Sequence, residues 1–119
     1  MLFRSIAGDG TPGYTGDRGP ATSAEITFVG LRLDSHGNLL IPTTASRVRV
    51  VAEQDGTFYG VPMTVGDIYT VAGDGTSGFT GDGGPAISAE ISSPQDAAAS
   101  AAGLFIADSI NLRFRLVTG

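Results

Sequence analysis

The chain has 119 residues, the size of one small domain or of a piece of a larger one, with seven Arg, no Lys and twelve acidic residues for a net charge of −5. That acidic balance removes the electrostatic footprint for nucleic acid or an anionic membrane. The absence of Cys removes disulfide scaffolds, thiolate zinc sites and cysteine nucleophiles together. No apolar run approaches the roughly 20 residues of a membrane span.

In chain order the first feature is a Gly-rich stretch, residues 8–26, reading GDGTPGYTGDRGPATSAEI. Its segment Pro20 to Ile26 suits one helical turn with Pro at its start. Val29 to Asp34 then alternates apolar and polar residues and leads into a Ser35–Asn38 turn. Leu39-Leu40-Ile41 is a short apolar strand ending at Pro42, and Arg47 to Val51 alternates with period two before breaking at Asp55-Gly56. Asp67 to Val71 is a fourth strand, rich in β-branched and aromatic residues. A second Gly-rich stretch follows at residues 73–91, GDGTSGFTGDGGPAISAEI, identical to the first at 15 of 19 positions and offset by 65. Residues 103–109 (GLFIADS) then correspond to 37–44 (GNLLIPTT) with Asn38 unmatched, and 113–117 (RFRLV) correspond to 47–51 (RVRVV). The repeat is therefore about 65 residues: one spans about 6–70, and an incomplete second spans about 71–119. Four short strands followed by a long loop predict an up-and-down antiparallel sheet, and repeated four-stranded sheets are propeller blades.

The loop GDGTSGFTGDGGPAISAEI, the segment LFIADS and the Arg-x-Arg strand together resemble NHL-repeat β-propellers of bacteria, over nearly the whole chain. The resemblance implies an all-β partial propeller of about two blades. It also implies a non-catalytic interaction or scaffold role toward a protein or saccharide partner, and a secreted or cell-surface parent protein. The alternative it leaves open is a fragment of an NHL-type lyase or hydrolase whose catalytic residues lie outside this chain. The sequence departs from the family pattern at Asp96 to Gly103 (DAAASAAG), where an inner strand is usually β-branched. It departs again at Pro42-Thr43, where the second copy keeps Ala107-Asp108.

Several motifs invite chemistry. Gly8-x-Gly10-x-x-Gly13 and Gly73-x-Gly75-x-x-Gly78 match the dinucleotide fingerprint, but Gly and Pro continue past each, leaving no long helix to face a pyrophosphate. Glycines at every third position from Gly10 to Gly19 imitate collagen for too few triplets to form it. Asp9, Asp17, Asp74 and Asp82 are candidate Ca²⁺ ligands. The competing role, capping turns, is favoured because the EF-hand spacing is missing. His36, the only His, sits in a turn and has no second His or paired Ser for metal or nucleophile chemistry. Asp108 is expected to form a structural ion pair with Arg113 or Arg115 across a hairpin, and Tyr14 and Phe79 to anchor their loops. No catalytic residue and no cofactor are expected.

The ends carry a further expectation. Phe3 to Ala7 matches the fourth strand Tyr69 to Ala72, whereas Arg113 to Val117 has no fourth strand beside it. The remaining blades are expected either from a longer parent chain, the favoured reading, or from head-to-tail strand exchange among three copies closing a six-bladed ring.

Overall fold

A computed structural model describes residues 1–118. These residues are all-β, with three antiparallel sheets and two single 3-10 turns among them, and no helix they form is long and apolar enough to cross a membrane. The first sheet is built from β1 (Arg32–Leu33), β2 (Leu39–Thr43), β3 (Arg47–Val51) and β6 (Ile68–Ala72), in the order β1-β2-β3-β6. This is the up-and-down sheet expected from the period-two segments. β1 is shorter than the Val29–Asp34 segment, because both of its residues are exposed and no apolar face holds the flanks.

Between β3 and β6 a small hairpin is inserted, β4 (Gly56–Phe58) with β5 (Val61–Met63). Its two turn residues, Tyr59 and Gly60, have φ of +55° and +78°, as a two-residue type I′ turn requires. Tyrosine is an unusual occupant of that conformation. Its hydroxyl donates to Asp34 Oδ2 at 2.7 Å, which ties the hairpin to the Ser35–Asn38 turn.

The third sheet, β7 (Pro94–Ser100), β8 (Gly103–Asp108) and β9 (Arg113–Val117), runs in chain order. The Ala-rich run is thus a strand, despite the helix propensity of Ala. Tertiary pairing decides this: Ala97 lies opposite Ile106 and Ala99 opposite Leu104, so small side chains on one face fit beneath the first sheet.

The two large sheets share one core. Leu40, Val48, Val50 and Val71 on one face of the first sheet meet Ala97, Leu104 and Ile106 of the third, with Ile91 between them. The opposite face of the first sheet carries Leu39, Ile41, Val51 and Ile68, covered by Ala21 and Ala24 of the first Gly-rich loop. That is why β2 is buried at every position. Both expected helical turns are present as 3-10 turns, Ala21–Ser23 and Ala86–Ser88, each preceded by Pro. Phe3 to Ala7 forms no strand, and residues 1–6 are exposed, since no strand edge of the chain pairs with them.

Candidate functional site

The two Gly-rich loops are long irregular segments repeated in sequence, and the Arg-x-Arg strands explain how they are held. Arg49 is fully buried on β3. Its Nε and one terminal nitrogen donate to Asp17 Oδ1 at 3.1 and 2.9 Å, and its remaining donors reach the carbonyls of Glu25 at 2.6 Å and Thr15 at 3.1 Å. Arg115 on β9 repeats the arrangement with the carbonyls of Glu90 and Thr80 and with Asp82 Oδ1 at 3.0 Å. A planar guanidinium has the donor fork needed to hold a carboxylate and two carbonyls at once, which a Lys ammonium lacks. The loop therefore closes around its Arg, from Thr15 and Asp17 on one side to Glu25 on the other.

Aromatic residues complete each clamp. Arg47 stacks on the Tyr14 ring with 3.9 Å between guanidinium carbon and ring centre, and Arg113 does so on Phe79 at the same distance. Both rings anchor their loops in this way. Arg47 additionally donates to the Asp74 carbonyl at 3.2 Å, joining the first sheet to the second loop.

The four acidic Ca²⁺ candidates divide into two roles. Asp9 Oδ1 accepts from the Thr11 N–H at 2.8 Å and Asp74 Oδ1 from the Thr76 N–H at 2.7 Å, which is the turn-capping role. Asp17 and Asp82 do not cap turns: they are the carboxylates of the arginine clamps. Turn composition alone favours capping, but long-range pairing to a buried cation outweighs it at these two positions. Among the described residues no three acidic or His side chains converge as a metal-binding group. We expect excess chelator to leave the thermal midpoint unchanged. A bound Ca²⁺ at a hundred times its dissociation constant contributes about 2.7 kcal/mol. A chelator-induced loss of that size, abolished by Asp74→Asn with Asp82→Asn, would establish a metal site instead.

Asp108 is fully buried and pairs with Arg115 at 3.2 Å, while also accepting from the Ser92 N–H and the Asn111 amide. Arg113 does not reach it. In the first repeat Thr43 takes this position and turns inward on its own hairpin, donating to the Arg47 carbonyl at 2.9 Å. The clamp on Arg49 forms without a carboxylate there.

His36 is exposed and lies 5.1 Å from the Phe58 ring, centre to centre. The group beneath it is Asp34. Burial alone would raise the Asp34 pKa, but hydrogen bonds from the Tyr59 hydroxyl, the Asn38 side chain and the Asn38 and His36 N–H groups outweigh it and hold the carboxyl below its ordinary value. Tyr59 is pushed upward, first by burial and then by its hydrogen bond to the Asp34 charge. A depressed carboxyl contributes stability above its unfolded pKa and loses it as pH falls through the folded value. We therefore expect stability to decline below about pH 4, and Asp34→Asn to flatten that acid limb. An unchanged limb in denaturation curves collected from neutral to acid pH would contradict the assignment.

The loop carboxylates and the aromatic pair stand out in the sequence, whereas Arg49 as their partner does not. A signal for it is present: Thr-Gly-Asp and Arg-x-Arg recur together at nearly the same offset. No protein-family model matches the chain, and no curated protein matches it in sequence.

Proposed function

We propose that the chain is a two-repeat segment of an NHL-like β-propeller. In this reading its two Gly-rich loops form a rigid, non-catalytic recognition surface for a protein or saccharide partner. The observation that carries this reading is the duplicated clamp. Two loops identical at 15 of 19 positions are held by equivalent acceptors around a guanidinium, so both loops are tied down in the same way. Preordered loops lose little conformational entropy on binding. The four loop carboxylates themselves are committed to structure: Asp17 and Asp82 to arginine, Asp9 and Asp74 to backbone N–H groups. The propeller part of the reading draws support from the β1-β2-β3-β6 order and from the ion pair Arg32–Asp96, 2.9 Å, between the first strands of the two large sheets.

A glycan array and a displayed-peptide library, both probed with the purified chain, test the proposal. The expected ligand loses binding when Thr11 and Thr76 on the loop tips are replaced by Glu, with the thermal midpoint unchanged. A ligand that binds equally well to that variant, or that is cleaved by the chain, would refute it.

A further inference from the structure

The two repeats differ at one place: β6 of the first has no counterpart among the described residues of the second. In the first repeat β6 is bonded along both edges. One edge pairs with β3. The other meets the Gly-rich loop: Arg18 N–H donates to the Ile68 carbonyl at 2.7 Å, Ile68 N–H to the Gly19 carbonyl at 3.1 Å, and Ala21 N–H to the Gly66 carbonyl at 2.9 Å. In the second repeat the corresponding groups are Gly83 N–H, the Gly84 carbonyl and Ala86 N–H on one side and the edge of β9 on the other. Between them runs a cleft of about 280 Å³ lined by Gly83, Gly84, Ala86, Leu116 and Val117 among others. No described residue of the chain enters it as a strand.

We propose that this cleft is an acceptor slot for one extended strand, and that its occupant is Phe3–Ala7 of a second copy of this chain. At the repeat offset of 65, Phe3, Ser5, Ile6 and Ala7 stand where β6 has Ile68, Thr70, Val71 and Ala72. Of the three large buried positions of β6, Ile68 and Val71 are thus matched by Phe3 and Ile6, while Arg4 stands where β6 has Tyr69. Phe3 and Ile6 are 99% and 42% exposed, whereas Ile68 and Val71 are 0% and 1% exposed in their slot. Ser5 supplies the matching hydroxyl. Thr70 Oγ1 donates to Asp17 Oδ2 at 2.6 Å, and Asp82, the counterpart of Asp17, has an Oδ2 with no such donor and a side chain 72% exposed against 37%.

The surface beyond the slot agrees. Phe105, Phe114 and Leu116 occupy the positions of Leu40, Val48 and Val50. The first three are 42%, 85% and 43% exposed, whereas the second three are fully covered by the following sheet and loop. An incoming copy seated by its Phe3–Ala7 strand brings its own Gly8–Ile26 loop and first sheet against this apolar face, as the second loop and third sheet cover the first. Gly8 then takes the place that Gly73 has against the Ser46 carbonyl. Donor and acceptor surfaces lie on different parts of the chain, so the contact is heterologous and propagates until it closes into a ring or grows as a fibre. None of this requires the loops to have a partner, and the purified chain alone tests it.

The experiment is light scattering across a concentration series, on wild type and on Arg4→Pro with Ile6→Pro. The two prolines remove two N–H donors from one edge of the donated strand. They fall in residues that form no strand within one copy, so the variant is expected to keep the wild-type circular dichroism. We expect wild type to scatter as a multiple of the chain mass and the proline variant as a single chain. Removal of residues 2–6 serves as a second variant with the same expected result. A wild type that remains a single chain at hundred-micromolar concentration overturns the proposal, as does a proline variant that assembles equally well. A single-chain wild type that binds a synthetic peptide of residues 66–73, the strand filling the equivalent slot, overturns the second copy as occupant in favour of a foreign strand.

Discussion

Arg49→Met is expected to lower the free energy of unfolding by about 3 kcal/mol, the lower end of the range for breaking a buried ion pair. Methionine keeps much of the stem's packing, so the loss reports mainly on the guanidinium. Two loop carbonyls, those of Thr15 and Glu25, lose their donors. Asp17, 37% exposed, recovers part of its cost from water, which is why the upper end of the range is not expected. Asp17→Asn keeps an oxygen for Arg49 but removes the charge and replaces the oxygen that accepts from the Thr70 hydroxyl by an NH2 group, so it should cost about 1 kcal/mol, the scale of one hydrogen bond. Thermal unfolding followed by circular dichroism separates the two. At this chain size the Arg49 variant should melt roughly 10 °C below wild type. A midpoint within about 2 °C of wild type would show that the first loop is held by its apolar contacts with Leu39 and Ile41 and not by the clamp.

Gly73→Ala is expected to cost about 3 kcal/mol, and Gly8→Ala about 1 kcal/mol, although the two glycines are equivalent in the repeat. Both have a left-handed backbone, with φ of +88° and +91°, so both carry the conformational cost of roughly 1–2 kcal/mol for a side chain there. Only Gly73 is also a close approach. A Cβ at that position would collide with the Ser46 carbonyl oxygen and come within 3.0 Å of Arg47 Cα, whereas at Gly8 the nearest atom is Ile26 Cδ1 at 3.9 Å. Overpacking against backbone, which cannot rotate away, adds about 1–3 kcal/mol. Urea denaturation at a concentration where the chain is a single copy measures the difference. Equal losses at the two glycines would show that the second loop can move off the first sheet without cost.

Much of the architecture is legible in the sequence because it depends on local chemistry. Period-two alternation in Arg47–Val51 places Val48 and Val50 on one face and Arg49 on the other, and the observed strand has those bounds. The Pro-started 3-10 turns follow from a ring that presets φ. The 65-residue period by itself implies that whatever holds one Gly-rich loop holds the other. The β4–β5 hairpin was not legible, because Tyr59-Gly60 is a weak turn signal whose stability comes from a hydroxyl reaching back 25 residues to Asp34.

The tertiary structure alone decided the roles of like residues. Asp9 and Asp17 look equivalent in a Gly-rich loop, yet one caps a local turn and the other pairs with an arginine 32 residues away. The Asp9 contact spans two residues and can be inferred from sequence. The Asp17 contact exists only because the loop folds over β3 and removes Arg49 from water, where an unpaired charge would be costly. The Ala-rich strand has the same cause. Its composition favours helix, and it is extended because β8 supplies a hydrogen-bonding edge and the first sheet a face that small side chains fit. Within this chain, periodicity and turn chemistry determine which segments extend and where they bend. The partner of each charge, and the cleft beside β9, are set by which surfaces the packed sheets bring together.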